Sequence, residues 1–303
     1  MNSSALKTLM LALIGGWGCT LATQAQTFTN GNGALPATYN SGGCVGFADL
    51  DGDSYDDLII LDQSRVLHTL YQAPNGTFTD FNLGNVSGSS QWGMCVGDFD
   101  NDGHKDVFSG GSYDGVHLMH ITAPGQGNLQ SLGNGSMFMQ ACNMADIDQD
   151  GVLDVFACHD DAVSRLWKGD EAGALNNNQA LMPLTSYDTG GYSNTDHSGN
   201  YGSVWTDFDR DGDIDLYIAK CRQFVNDPQD PRRVNQLWVN DGQGNYTEEA
   251  SERGLVFFEQ SWTADFADID NDGDFDCLVT NHSTTLLLLE NDGTGNFTDI
   301  TAG

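Results

Sequence analysis

Apolar residues in this chain gather in short runs, not in a stripe that recurs every three or four positions. Leu58-Ile59-Ile60-Leu61, Val107-Phe108, Val155-Phe156-Ala157, Leu216-Tyr217-Ile218 and Cys277-Leu278-Val279 are apolar on successive positions. That is the pattern of strands covered on both faces. A second set follows them: Leu70-Tyr71, Leu118-Met119, Leu166-Trp167, Leu237-Trp238 and Leu288-Leu289. Ahead of the first set stand Gly/Ala/aromatic stretches, GGCVGFA, WGMCVG, QACNMA, GSVWT and SWTADFA. A further strand is predicted at Phe78-Thr79-Asp80, Tyr246-Thr247-Glu248 and Phe297-Thr298-Asp299. Asn-Asp-Gly turns at Asn240–Gly242 and Asn291–Gly293 precede the last two of these. Each unit reads as a four-stranded antiparallel meander, and the unit recurs five times. Four-stranded units repeated around an axis make a β-propeller. The expected fold is all-β, a propeller with five blades in this chain, or part of a larger one. The blades fall at about residues 40–84, 90–133, 137–185, 200–250 and 259–301.

The polar positions repeat as well. Between the first and second predicted strand of every unit lies an acidic nonapeptide. They run Asp49–Asp57, Asp98–Asp106, Asp146–Asp154, Asp207–Asp215 and Asp268–Asp276, and start 48 to 61 residues apart. Together they hold 23 of the 43 acidic residues. So many carboxylates in nine positions repel one another, and a cation is the simplest neutraliser. Asp at positions 1, 3, 5 and 9 offers oxygen ligands in a tight loop, and the position-7 carbonyl adds another. The candidate ligands are Asp49, Asp51, Asp53, Tyr55 and Asp57 in the first loop; the second has Asp98, Asp100, Asp102, His104 and Asp106. The third has Asp146, Asp148, Asp150, Val152 and Asp154. The fourth has Asp207, Asp209, Asp211, Asp213 and Asp215; the fifth has Asp268, Asp270, Asp272, Asp274 and Asp276. All-oxygen, flexible coordination suits Ca²⁺, so up to five calcium ions are expected. The alternative for a single loop is a solvated acidic turn, which five loops in register argue against. An EF-hand needs Glu at position 12 and flanking helices. Position 12 here is Ile60, Ser109, Ala157, Ile218 and Val279, and the flanks are strand-like, so that motif is excluded.

The pattern Asp-x-Asp-x-Asp-Gly-x-x-Asp followed by an apolar strand resembles the FG-GAP/VCBS repeat family. Its blades occur in the integrin α-chain propeller and in many secreted bacterial proteins. The resemblance spans roughly residues 27 to 301. LWVNDGQGNYTEEASERGL (Leu237–Leu255) and LYIAKCR (Leu216–Arg222) look more narrowly like bacterial relatives of cartilage acidic protein, the ASPIC/UnbV-associated propellers. The resemblance implies calcium on the Asp residues at positions 1, 3, 5 and 9 of each loop. The first loop departs from the pattern, with Gly52 at position 4 and Ser54 where Gly is expected at position 6. A left-handed conformation strains Ser54, and weaker binding is expected there.

Charge changes the list of partners. With 11 Lys+Arg against 43 Asp+Glu, the formal net charge is -32. Nucleic acid and anionic membrane surfaces are poor partners for such a chain. Met1–Lys7 followed by the apolar run Thr8–Trp17 reads as a secretory signal peptide cleaved after Ala25, leaving residues 26–303 as the propeller. Lipidation at Cys19 is the alternative, against which Gly16-Trp17-Gly18 stands in place of the expected Leu. No further segment is long and apolar enough to span a bilayer, so the expected location is secreted or at the cell surface. Among the remaining cysteines, Cys142 and Cys158 sit symmetrically about the third acidic loop. A disulfide between them is expected if the hairpin pairs residues equidistant from that loop's centre. The other four read as small buried hydrophobes.

Two stretches break the regular spacing, Gly169–Gly202 and Arg222–Val234. Lys220, Arg222, Arg232 and Arg233 are expected to pair with local acids, Asp227 and Asp230 among them, instead of receiving an anionic ligand. Trp205, Trp238 and Trp262 read as core, with stacking on sugars the alternative. His159-Asp160-Asp161 reads as a surface turn. No His-Glu-x-x-His, Gly-x-Ser-x-Gly or Walker loop is present. The sequence therefore predicts a calcium-binding module for adhesion, binding or scaffolding, with a protein or glycan as ligand. A propeller polysaccharide lyase is the alternative. Thr27-Phe28-Thr29 resembles a fourth strand, yet the last unit already has its own. That surplus predicts an open five-blade ring or, preferentially, a longer protein with further C-terminal domains.

Overall fold

The computed structural model describes residues 30–133, 136–184 and 198–302. Thr27–Thr29 and the segment read as a signal peptide lie outside the described residues. The chain divides after Ala34, and the described residues before that point hold a 3-10 turn at Asn32–Ala34. Leu35–Gly303 forms a compact unit, and holds every strand described below.

Five four-stranded antiparallel sheets follow one another along the chain, each pairing its strands in sequence order. The first is β1 (Ser41–Ala48), β2 (Asp57–Asp62), β3 (Val66–Gln72) and β4 (Phe78–Asn85). The second is β5 (Gln91–Gly97), β6 (Asp106–Gly111), β7 (Val116–Ala123) and β8 (Gln126–Ser131). The third is β9 (Met139–Ala145), β10 (Asp154–His159), β11 (Arg165–Gly169) and β12 (Leu175–Asn177). The fourth is β13 (Asn200–Thr206), β14 (Asp215–Lys220), β15 (Gln236–Asn240) and β16 (Tyr246–Glu248), followed by α1 (Ala250–Arg253). The fifth is β17 (Ser261–Ala267), β18 (Asp276–Asn281), β19 (Leu287–Asn291) and β20 (Phe297–Asp299). This is a β-propeller of four-stranded blades, as the hydrophobic pattern predicts. Strands β8 and β12 had no clear signal in the sequence. All six residues of β8 are exposed, so that outer strand needs no apolar pattern. Strand β12 occupies the start of the stretch that reads as a long loop, of which residues 185–197 lie outside the described residues.

The core sits between blades. Ile59, Leu61 and Tyr71 of the first blade meet Val107, Met119 and Ile121 of the second. Phe99, Phe108 and Leu118 meet Met139, Val155 and Trp167. Phe156, Cys158 and Leu166 meet Leu216, Ile218 and Trp238, and Tyr217, Leu237 and Val239 meet Cys277, Val279 and Leu289. The second strands β6, β10 and β14 are buried at every position because a blade covers each face. Innermost strands pack in succession, β1 on β5, β5 on β9, β9 on β13 and β13 on β17. Glycine permits this closeness: a Cβ on Gly93 would lie 3.0 Å from the Ala141 carbonyl carbon, and one on Gly202 2.5 Å from the Trp262 carbonyl oxygen. Five blades thus make four interfaces among the described residues. Phe47 of β1 and Leu278 of β18 lie on faces that no blade covers among the described residues; Phe47 is 73% exposed. No helix among the described residues is long and apolar enough to cross a membrane.

The register excludes the Cys142–Cys158 bridge. Cys142 pairs with Ala157 and Cys158 with Ala141, one residue away from the symmetric pairing that the bridge requires. A one-residue offset in a strand pair turns the two side chains to opposite faces. Cys142 enters the core towards the second blade and Cys158 the core towards the fourth. All six described cysteines are free thiols.

Candidate metal centres

Each acidic nonapeptide closes the hairpin between the first and second strand of a blade. The chain turns there through left-handed residues at two positions. Position 4 is Gly52, Asn101, Gln149, Arg210 and Asn271; position 6 is Ser54, Gly103, Gly151, Gly212 and Gly273. Ser54 adopts φ 72° without the freedom of glycine, as its place in the loop demands.

The position-1 carboxylates organise the loop from inside. Asp49 accepts hydrogen bonds from the backbone N–H of Ser54 (2.9 Å) and Gly52 (2.8 Å), which hold its pKa down, the Ser54 bond most strongly. Asp98 accepts from Asp102 and Gly103, Asp146 from Asp150 and Gly151, and Asp268 from Asn271 and Gly273. Position-5 carboxylates of Asp53, Asp102, Asp150, Asp211 and Asp272 accept from the N–H of Tyr55, His104, Val152, Asp213 and Asp274 at position 7.

Position 9 does a second job that the spacing does not reveal. Asp57, Asp106, Asp154, Asp215 and Asp276 are buried. One carboxylate oxygen of each accepts the N–H of a third-strand residue: Gln72, Ile121, Gly169, Asn240 and Asn291. In four loops the other oxygen accepts the N–H of position 2, in Leu50, Phe99, Ile147 and Ile269. Position 9 therefore clamps the loop onto the sheet. Burial pushes the pKa of Asp154 up to about 6 and that of Asp215 up to about 8.

Carboxylates converge in these loops. Asp49, Asp51 and Asp53 offer ligand atoms within 4.8 Å of one another, as do Asp98, Asp100 and Asp102. So do Asp146, Asp148 and Asp154, and Asp207, Asp209 and Asp215. In the fourth loop Asp207 Oδ1, Asp209 Oδ1 and Asp215 Oδ2 are buried without a hydrogen-bond partner. Asp51 Oδ1, Asp148 Oδ1 and Asp274 Oδ1 share that condition. Buried anionic oxygens left unpartnered are costly, and an all-oxygen donor set of this kind fits a hard cation. Of the residues singled out from the sequence, Asp270 of the fifth loop takes part by accepting the N–H of Asp272.

Two residues that the sequence analysis missed reach these loops from the third strand. His120 Nδ1 lies 3.5 Å from Asp106 Oδ2 and 3.9 Å from Asp100 Oδ2. The Lys168 ammonium bonds Asp148, and Asp150 at 2.6 Å. Both precede the residue whose N–H the position-9 carboxylate holds, so aligning the repeats on that position is the signal that finds them. Elsewhere Arg232 pairs with Asp230 at 2.6 Å, as expected, whereas Arg222 pairs with Asp161 at 2.7 Å. Lys220 is buried and donates to Asn200 Oδ1 at 3.2 Å. His159 is not in a surface turn; it is buried at the end of β10, and its Nδ1 accepts the Asp161 N–H.

A comparison with family models agrees with this architecture. A family model described as FG-GAP-like repeat matches residues 49–109, 98–157 and 207–279. No curated protein matches the sequence. Among solved structures, the V. cholerae biofilm matrix protein Bap1 is similar at 16% identity with a TM-score of 0.40, over 84% of this chain and 38% of that one. An arginine-to-alanine triple mutant of AofleA from Arthrobotrys oligospora is similar at 11% identity with a TM-score of 0.46, over 89% of this chain and 75% of that one.

Proposed function

We propose, from the premise that this chain belongs to the FG-GAP-like repeat family, that it is an exported, calcium-stabilised β-propeller module for binding or adhesion at a cell surface, or for scaffolding within a longer protein. The fourth loop is the observation that supports the reading most directly. Three buried carboxylate oxygens there have no hydrogen-bond partner. Calcium bound there would neutralise the cluster and join the loop to the two strands it connects. Positions 1, 3 and 5 are the ligands nearest solvent, and position 9 serves from beneath while bracing the sheet. Export rests on the segment Met1–Ala25. The net charge of -32 argues for a protein or glycan partner instead of nucleic acid.

Ligand binding to the native state alone stabilises it by mass action. Calcium should therefore raise the melting temperature, and EDTA should lower it by about 5 °C or more for a chain of this size. Half-saturation is expected near 10⁻⁴ to 10⁻³ M, on the order of other extracellular sites. A melting curve unchanged by EDTA, with metal loss confirmed by elemental analysis, would sink the calcium reading.

A further inference from the structure

The innermost strands β5, β9, β13 and β17 end in the acidic loops. Near their opposite ends each carries a β-bulge. One residue is left over in the pairing of each: Trp92, Gln140, Tyr201 and Trp262. A bulge re-aims the side chain it leaves over. The same place in four successive blades is affected, so three aromatic residues and one amide are set along one end of the propeller.

Aromatic rings gather around this row. Trp92 and Trp262 are 50% and 47% exposed. Trp92 meets Phe138 edge-on at 6.1 Å, and Tyr201 stacks on Trp262 at 6.2 Å with planes 14° apart. Between the two groups lies a cavity of about 310 Å³, at the lower end of the range of small-molecule sites, walled by the rings of Trp92, Phe138, Tyr201 and Phe224. Phe224 is 94% exposed at its mouth. The polar lining is Gln140, Asp160, Arg222 and Gln223. Gln140 Nε2 donates to Asp160 Oδ2 at 3.2 Å, and Arg222 reaches Asp160 Oδ1 at 3.4 Å.

We propose that this cavity binds a neutral glycan chain. Flat aromatic faces accept the apolar C–H face of a sugar ring with little loss of conformational freedom. Planar carboxylate, amide and guanidinium groups are shaped to take two neighbouring hydroxyls at once. Arg222 is already matched by Asp160 and Asp161, and the chain as a whole is strongly acidic, so no positive field exists to draw in sulfated or carboxylated sugars. The aromatic row continues past the cavity to Trp262, which favours an oligosaccharide over a single sugar. The proposal supplies a ligand class for the binding reading above, and does not depend on the acidic loops holding calcium.

The test uses the full chain in saturating calcium against cello-, xylo- and manno-oligosaccharides, a sulfated heparin oligosaccharide and a trimethyl-lysine peptide, read by tryptophan fluorescence and calorimetry. At least one neutral oligosaccharide should bind. Trp92→Ala and Tyr201→Ala should each weaken it by about tenfold or more. Phe224→Ala should weaken it as well, and because Phe224 is exposed, that variant keeps the test valid if the others unfold. Asp160→Asn should reduce affinity while leaving the melting temperature in calcium near that of the parent. Binding that none of these substitutions changes overturns the proposal. So does binding of the sulfated or the trimethyl-lysine probe alone, or of none of the probes. The EDTA melt is read separately, so failure of glycan binding and failure of the calcium reading are distinguishable.

Discussion

Lys168 and His120 occupy equivalent places in neighbouring blades and face their acidic loops in different ways. The Lys168 ammonium already lies on Asp148 and Asp150. Burial works against its charge, but the two carboxylates outweigh it and raise its pKa. On the proposed reading, lysine here is a tethered cation that a calcium ion would have to displace. Lys168→Met should raise the calcium affinity of the third loop by about tenfold, within what one close charge contributes near a protein surface. The variant should melt below the parent in EDTA and no lower than the parent in calcium. Equal loss of stability in both conditions, with unchanged calorimetric affinity, would show that the lysine is only a surface brace. The aromatic residues teach the same lesson about position. Trp205 packs against Phe156 and Tyr246, and Trp238 is buried, as the sequence suggests. Trp262 falls on a bulge and is turned to solvent, which composition alone does not reveal.

At the scale of elements, β16 and α1 show how a half-buried carboxylate ties a junction together. Glu248 Oε1 accepts the N–H of Leu237 on β15 at 3.0 Å and that of Ala250 at the start of α1 at 3.1 Å. Gly254 then ends the helix in a left-handed conformation, φ 79°. Burial outweighs those two bonds and pushes the Glu248 pKa up to about 7, from 4.5. The folded state therefore holds this proton more tightly than the unfolded chain. Between these two values the native state binds more protons, so stability falls as pH rises from about 4.5 to about 7 and is flat beyond, as far as this group is concerned. Glu248→Gln keeps an acceptor and removes the charge. It should stabilise the protein at pH 8 in saturating calcium, and the advantage should shrink as pH falls towards 5. Parallel stability curves for parent and variant across that range, from urea titrations, would contradict this account.

For the whole molecule, stability resides between blades. Phe156 is fully buried between the third and fourth, whereas Phe47 lies 73% exposed on the first blade's uncovered face. Phe156→Ala should cost about 3–5 kcal/mol, the usual loss for a buried aromatic. Phe47→Ala should stay within about 0.5 kcal/mol, as surface substitutions do. Urea midpoints compare the two directly. A loss at Phe47 approaching that at Phe156 would mean that the face is covered in solution. The surplus-strand argument, built on Thr27-Phe28-Thr29, concerns residues outside those described, and the four interfaces among five blades stand independently of it.

Local chemistry determined the repeat, the blade and the acidic loop. Apolar runs mark strands wherever both faces are covered, and carboxylates at positions 1, 3 and 5 mark the acidic loop through spacing alone. Ser54 is legible as a strained exception because its position in the loop requires a left-handed backbone. What the sequence left out is whatever depends on which residue lies opposite which. The Cys142–Cys158 pairing failed by one residue of register, and one residue reverses the face. The clamp made by the position-9 carboxylates, the reach of Lys168 and His120, and the bulges at Trp92, Tyr201 and Trp262 all arise from pairing between strands or packing between blades. The outer strands β8 and β12 were illegible for a simpler reason: with little to bury, they carry little hydrophobic pattern. Hydrophobic periodicity records only whether a residue is covered. The tertiary structure alone decides by what, because neighbours distant in sequence meet only when the blades stack.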